Sequence, residues 1–153
     1  MRENVAYLDS SAIIKRYVRE EGGEHVRRLY LAAYTGEVRL AFSIWNVGEV
    51  LGALDKARRK GLLSNHAYAV ARGRFLSETR RMAKLGILII VPLSKRVVVE
   101  AWKYIEKHHI YQADAVQLAS AKKVACREFV TGGQGAAPGS SQRGLKERVL
   151  RLD

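Results

Sequence analysis

The sequence predicts an α/β fold: a three-layer α/β/α sandwich around a mainly parallel central sheet. Short apolar segments, typical of buried strands, alternate along the chain with longer segments whose apolar residues recur at helical spacing. The first strand, residues 5–8, is apolar without interruption, as expected where both faces of a sheet are covered. A length of 153 residues suits one domain with its own core, so we predict a single domain over residues 1–153.

The first half of the chain has the pattern of two strands and four helices. The first strand passes at Asp9 into a helix for which Ser10 and Ser11 are suitable N-caps, and Ser43 and Ser64 are suitable caps for two later helices. A glycine follows each of the last three helices, as expected of a helix stop. We predict the second strand at residues 38–42 and these helices at residues 24–34, 44–60 and 64–85.

The second half repeats the alternation. Residues 87–91 form an apolar run rich in β-branched side chains, typical of a central strand, and Pro92 ends it. We predict a helix at 94–107, a connector at 108–113, a helix at 114–125 and a strand at 128–131. The Gly- and Ser-rich segment at about 132–144 is expected to be a flexible loop, followed by a last edge strand at 149–152.

The charge of the chain favours a polyanionic partner. Lys and Arg number 27 against 15 Asp and Glu, a formal net charge of +12, so nucleic acid is the first candidate partner. Residues 44–84 are the most basic region, with nine cations and three acids. The alternative is a solvated, salt-rich surface with no such partner, and charge alone does not separate the two.

The sequence has no feature of an exported or membrane protein. No apolar run approaches the ~20 residues of a membrane span, and residues 2–4 lead straight into the first strand without a signal peptide. Cys126 is the only cysteine, so an internal disulfide is excluded. We therefore predict a cytoplasmic protein without a membrane partner.

Three acids stand apart from the charge-rich surface segments. Asp9 follows the first strand, Glu49 lies near the start of the long helix among apolar residues, and Asp114 opens a helix of small residues. Strand ends and helix starts gather at one edge of a parallel sheet, so we expect these carboxylates to converge there. The alternatives are that Asp9 and Asp114 only cap helices and that Glu49 is a solvated side chain.

Converging carboxylates repel one another unless a cation neutralises them. Oxygen ligands of this kind suit Mg²⁺ or Mn²⁺. A hydrated divalent ion held by carboxylates lowers the pKa of water and stabilises charge on a phosphodiester under attack. The acids therefore point to metal-dependent phosphodiester chemistry.

Three segments of the sequence, each around one of these acids, resemble the motifs of PIN domains, above all those of VapC-type toxin ribonucleases. They are residues 7–17 (YLDSSAIIKRY) around Asp9, residues 43–50 (SIWNVGEV) around Glu49 and residues 111–121 (YQADAVQLASA) around Asp114. Residues 128–131 resemble the strand before the fourth motif, so the match runs in order along nearly the whole chain.

The resemblance implies a metal-dependent endoribonuclease, the toxin of a type II toxin–antitoxin system. It implies that Asp9, Glu49 and Asp114 bind Mg²⁺ or Mn²⁺ and position the attacking water, leaving RNA with 5′-phosphate and 3′-hydroxyl ends. It also implies a homodimer and a cognate antitoxin protein that inhibits the enzyme.

Four further residues are candidates for supporting roles. Thr131 is placed to orient a metal-bound water, and Ser10 to hydrogen-bond a metal ligand or a phosphate, or merely to cap a helix. Lys15 and Arg16 are candidate RNA contacts, with plain solvation as the alternative.

The sequence departs from the PIN pattern at one position. The family usually has an aspartate two residues after the threonine, and here that residue is Gly133. Three acids still suffice for one ion, so we expect reduced or one-metal activity. Two alternatives remain: a catalytically weakened PIN domain that binds RNA or a protein without cutting, and a dimerising scaffold whose basicity is incidental.

Overall fold

The computed structural model describes residues 3–132, and all statements on structure refer to that part of the chain. It contains the strands β1 (Val5–Leu8), β2 (Arg39–Ser43), β3 (Leu88–Val91) and β4 (Glu128–Val130). The helices are α1 (Ser10–Tyr17), α2 (Gly23–Tyr34), α3 (Ile44–Arg59), α4 (Asn65–Lys84), α5 (Lys95–His108) and α6 (Gln112–Lys123). The predicted edge strand and all but the first residue of the predicted Gly/Ser-rich loop lie outside the described residues.

The four strands form one sheet in the order β3-β2-β1-β4. Every neighbouring pair is parallel, with Ala6 of β1 opposite Leu40 of β2 on one side and Glu128 of β4 on the other. All four residues of β1 are buried, which explains its uninterrupted apolar sequence. The predicted parallel α/β sheet is therefore confirmed, and β1 lies inside it.

Helices cover both faces of the sheet. Ala6 and Leu8 face one core, which they share with apolar side chains of α1, α2, α3 and α4. Val5 and Tyr7 point the other way, toward Phe129 and the α6 residue Ala121, and α5 packs with α6 in the same layer. The alternation of residues along β1 thus separates two helical layers, and the predicted three-layer sandwich is confirmed.

Serine caps set the starts of three helices where the sequence predicted them. Ser43, Ser64 and Ser94 are the N-caps of α3, α4 and α5, each accepting a backbone N–H of the first turn. Gly61 and Gly86 follow α3 and α4 with φ of 75° and 76°, the left-handed backbone that ends a helix at little cost for glycine.

The second half differs from its prediction at α6. This helix begins at Gln112, two residues before Asp114, because Tyr111 rather than Asp114 is the N-cap. The predicted connector at 108–113 is accordingly shorter, since His108 belongs to α5. None of the helices in the described chain is long and apolar enough to cross a membrane.

Candidate active site

Asp9 is held at the carboxyl end of β1 by the start of α1. It is the N-cap of that helix, and its Oδ1 accepts hydrogen bonds from the Ala12 backbone N at 2.9 Å and the Ser11 hydroxyl at 2.6 Å. The prediction that Ser10 or Ser11 caps α1 is wrong, because Asp9 already has the extended backbone of a cap and Asp is as good a cap as Ser. Capping does not exclude another role for Asp9. The capping hydrogen bonds hold its carboxylate, which is only 5% exposed, in one orientation.

Glu49 lies in the first half of α3 and is half-buried rather than solvated. Partial burial raises its pKa. Hydrogen bonds from Asn46, whose Nδ2 lies 3.1 Å from Glu49 Oε1, and from Ser10 act in the opposite direction. The negative charges of Asp114 and Asp9 raise the pKa further. The charges of both other predicted acids therefore act on the Glu49 carboxylate.

The three acids reach the same edge of the sheet from different elements. Asp9 ends β1, Glu49 is on the helix that follows β2, and Asp114 is in the first turn of α6. One turn after Asp114, Gln117 Nε2 lies 3.5 Å from Glu49 Oε1, which ties the start of α6 to α3. The alternative that Asp114 is the cap of α6 is wrong, since Tyr111 occupies that position.

The chemistry of this edge fits a hard divalent cation. Its donors are carboxylate oxygens, the ligands that Mg²⁺ and Mn²⁺ prefer. Burial is the main cause of the raised pKa of Glu49, and the like charges of Asp114 and Asp9, which a cation would neutralise, raise it further. The side chains do not form a closed cage: within residues 3–132 no three His, Cys, Asp or Glu are grouped tightly enough to hold an ion unaided. Such an ion would retain several waters, as Mg²⁺ usually does.

Ser11 joins the end of β4 to this edge, a role the sequence did not reveal. Its hydroxyl donates to Asp9, accepts the Gly132 backbone N–H at 2.9 Å and lies 3.4 Å from the Thr131 hydroxyl. A Cβ on Gly132 would lie 2.4 Å from the Ser11 carbonyl oxygen, so only glycine fits there. Of the predicted supporting residues, Ser10 hydrogen-bonds Glu49, and Thr131 lies next to Ser11, which hydrogen-bonds Asp9.

Asn46 and Gln117 are further polar residues that the sequence reading missed. Asn46 is fully buried: its Oδ1 accepts from the Tyr7 hydroxyl at 3.0 Å and the Ser43 backbone N at 2.8 Å, while its amide donates to Glu49. The available signal was spacing, because Asn46 precedes Glu49, and Gln117 follows Asp114, by three helical positions.

Lys15 and Arg16, the candidate RNA contacts, are engaged within the protein. Lys15 is buried, and its Nζ donates to the Glu21 carbonyl and lies 3.5 Å from Glu20 Oε2. Arg16 makes two hydrogen bonds to Glu78, at 2.9 and 3.0 Å. Both side chains are engaged in contacts within the protein, so the alternative of plain solvation is wrong for both.

Comparison with protein-family models assigns the chain to one family. The PIN domain model matches residues 6–136, which span all three acids, so the chain belongs to the PIN domain family. Among solved structures it is similar to VapC20 from Mycobacterium tuberculosis, a toxin described as cleaving the sarcin–ricin loop. The identity is 14%, the match covers 85% of this chain and 91% of that one, and the TM-score is 0.58, which shows a shared fold. No curated protein matches the sequence significantly.

Proposed function

We propose that this chain is a metal-dependent endoribonuclease, the toxin of a VapBC-like type II toxin–antitoxin system. The observation that carries the proposal is the electrostatic contact of Asp9, Glu49 and Asp114 at the carboxyl edge of a PIN-family sheet. The net charge of +12 supports a polyanionic substrate.

In this proposal each residue has a defined task. A Mg²⁺ or Mn²⁺ ion would supply Lewis acidity and a lowered pKa for water. Hydrogen bonds from Ala12 and Ser11 orient the Asp9 carboxylate. A hydrogen bond from Asn46 orients the Glu49 carboxylate in the same way. Asp114 supplies the third carboxylate. The Thr131 hydroxyl orients water at the end of β4.

The proposal extends to the oligomeric state, the location and the partners of the chain. We infer a homodimer, a cytoplasmic location and a cognate antitoxin protein that inhibits the enzyme. Since VapC20 is described as cleaving the sarcin–ricin loop, an RNA hairpin carrying that loop is a rational first substrate here.

The first test is RNA cleavage. We expect the native chain with Mg²⁺ or Mn²⁺ to cut a mixed RNA pool, and EDTA or Asp114→Asn to lower the rate by at least about 100-fold. EDTA removes the cation whose charge would stabilise the transition state, and Asp114→Asn removes one of the carboxylates that would hold it. Asp55→Asn is the matched control: it removes the same charge from an ion pair with Arg58 and Arg59 on α3, and its rate should stay within about twofold. Equal cleavage by all samples would contradict the proposal.

A second candidate, a PIN domain that binds RNA or protein without cutting, is favoured by one observation. Gly133 stands where the family usually has its fourth acid. Calorimetry with Mn²⁺ separates the two candidates: absence of ion binding at millimolar concentration, together with retained RNA binding, supports the second.

A further inference from the structure

A groove between α5 and α6 lies apart from the three acids. Its volume is about 310 Å³, and it is lined by Arg96, Val97 and Glu100 of α5 and by Ala119, Lys122 and Lys123 near the end of α6. Val97 and Ala119 are buried and form an apolar floor, while charged side chains form the rim. Lys122 follows Asp114 by eight residues, so the groove lies about 12 Å along the helix axis from that acid.

The charge of the groove is strongly positive. Its one carboxylate, Glu100, is already paired with Lys103 at 3.1 Å. In contrast, neither Arg96 nor Lys123 has a carboxylate partner in the part of the chain that the structure describes, and both are exposed. Arg96 and Lys123 therefore face one neutralised acid, an arrangement that a bound anion would stabilise.

A cation–π contact orders one cation of the groove rim. Lys122 is held over the ring of Tyr104, with its Nζ 5.7 Å from the ring centroid, so one rim cation has a fixed position.

We propose that this groove is a second RNA-binding site, which holds the phosphodiester backbone of the substrate at a distance from the point of cleavage. The inference rests on the proposed function, since it takes RNA to be the ligand at the catalytic edge as well. Phosphate oxygens supply the negative charge that would neutralise Arg96 and Lys123. The site carries no base-reading geometry, so it contributes affinity and register rather than sequence preference.

The test compares RNA affinity in two double variants of the full chain. Arg96→Gln/Lys123→Gln removes two groove cations, and the control Arg19→Gln/Arg28→Gln removes two exposed cations on the opposite side of the sheet. By fluorescence anisotropy with a long RNA in EDTA, the groove variant should bind roughly 25-fold more weakly at about 0.1 M salt, and its salt slope should fall by about 1.4. The control should change both quantities much less.

The outcomes separate this inference from the proposed function. Equal affinity and salt slope in the two double variants would overturn the groove as an RNA site, even if the native chain cleaves RNA. Poly-glutamate serves as a second probe. A groove variant that loses affinity for poly-glutamate but binds RNA as tightly as the native chain would overturn the RNA site in favour of an acidic protein partner. A weakened groove variant in a chain that never cleaves RNA would refute the nuclease and leave the groove supported.

Discussion

At the scale of single residues, Asp9 joins two roles in one side chain. It caps α1 through Oδ1, and its charge reaches Glu49 at the sheet edge. Asn is as good an N-cap as Asp but carries no charge. Substitution at this position therefore separates the contribution to folding from the proposed contribution to catalysis.

We expect Asp9→Asn to abolish cleavage while the free energy of unfolding stays within about 0.5 kcal/mol of the native value, because the cap is kept. Asp9→Ala should lose cleavage and also about 1 kcal/mol of stability. Ser64→Ala is the matched control, since it removes the cap of α4 and should cost similar stability with cleavage retained. Urea unfolding and a cleavage assay measure both properties. Cleavage by Asp9→Asn at the native rate would contradict the assignment.

Glu49 is a residue whose ionisation opposes folding when no cation is present. Burial and the neighbouring acids raise its pKa above the ordinary value of 4.5. A raised folded-state pKa in an acid means that the folded protein holds the proton more tightly than the unfolded chain. The resulting destabilisation is absent below pH 4.5 and develops as the pH rises through the folded-state pKa.

In EDTA at pH 7, Glu49→Gln should therefore be as stable as the native chain or more stable, by no more than about 1 kcal/mol given the partial exposure of the site. The difference should vanish near pH 4, where both chains carry a neutral side chain. Added Mg²⁺ should stabilise the native chain more than the variant. Chemical unfolding at the two pH values tests this, and a variant less stable than native at pH 7 in EDTA would be the contrary result.

At the scale of elements, a buried acid fastens α4 to α1 and α2. Glu78 of α4 accepts hydrogen bonds from Arg16 and from the hydroxyls of Tyr17 and Tyr34, both at 2.8 Å, with Arg81 at 3.5 Å. Burial alone would raise the pKa of Glu78, but these donors outweigh it and lower the pKa to about 2. The network thus holds the C-terminal end of α1, the helix that Asp9 caps, against α4.

Because folding lowers the pKa of Glu78 from 4.5 to about 2, its stabilisation is present above pH 4.5 and is lost as the pH falls toward 2. We expect Glu78→Gln to cost on the order of 2–3 kcal/mol at pH 7 and to lose most of that deficit near pH 2. Glu24→Gln, which breaks the exposed pair with Arg28, should cost less than about 0.5 kcal/mol. Denaturant titrations from pH 2 to 7 measure the difference, and a pH-independent cost would contradict this explanation.

Elements were predictable to the extent that their signals are local. The serine before α3 and the apolar run of β1 mark their elements within a few residues of the chain, so those elements were predicted correctly. The start of α6 was misplaced because that helix is buried on nearly all sides and has no apolar stripe to mark its boundaries. The Glu78–Arg16 pair joins residues 62 positions apart, and no periodicity reports such a contact.

The same distinction holds for the site. The placement of Asp9, Glu49 and Asp114 at one edge of the sheet was predictable because each lies in a recognisable segment at a strand end or helix start. The parts played by Ser11 and Asn46 depend on side-chain direction and on the approach of Gly132, which the sequence does not encode in any local pattern.

At the scale of the whole molecule, two tryptophans lie on the surface. Trp45 is 42% exposed on α3 and Trp102 is 53% exposed on α5, together with the 47%-exposed Ile44. Exposed aromatic side chains of this size are typical of protein–protein interfaces. They support the proposed homodimer.

We expect light scattering to give twice the chain mass of 17.1 kDa at micromolar concentration. Trp45→Lys/Trp102→Lys should shift the protein to the monomer, because burying two charges in the interface costs several kcal/mol. Leu62→Lys, at a 76%-exposed position, is the control and should leave the mass unchanged. A monomeric native chain, or a double variant that remains dimeric, would contradict this interface.

The strand order has a consequence for the chain as it leaves the ribosome. β1 is made first but is enclosed only when β4 arrives, some 120 residues later, and its Tyr7 meets the stacked ring of Phe129 only then. Asp114 also arrives late, so an unfinished polypeptide lacks both the third carboxylate and the strand beside Asp9. Any chemistry that needs all three acids is therefore absent from products that end before residue 114, and the strand beside Asp9 is in place only in chains that include β4.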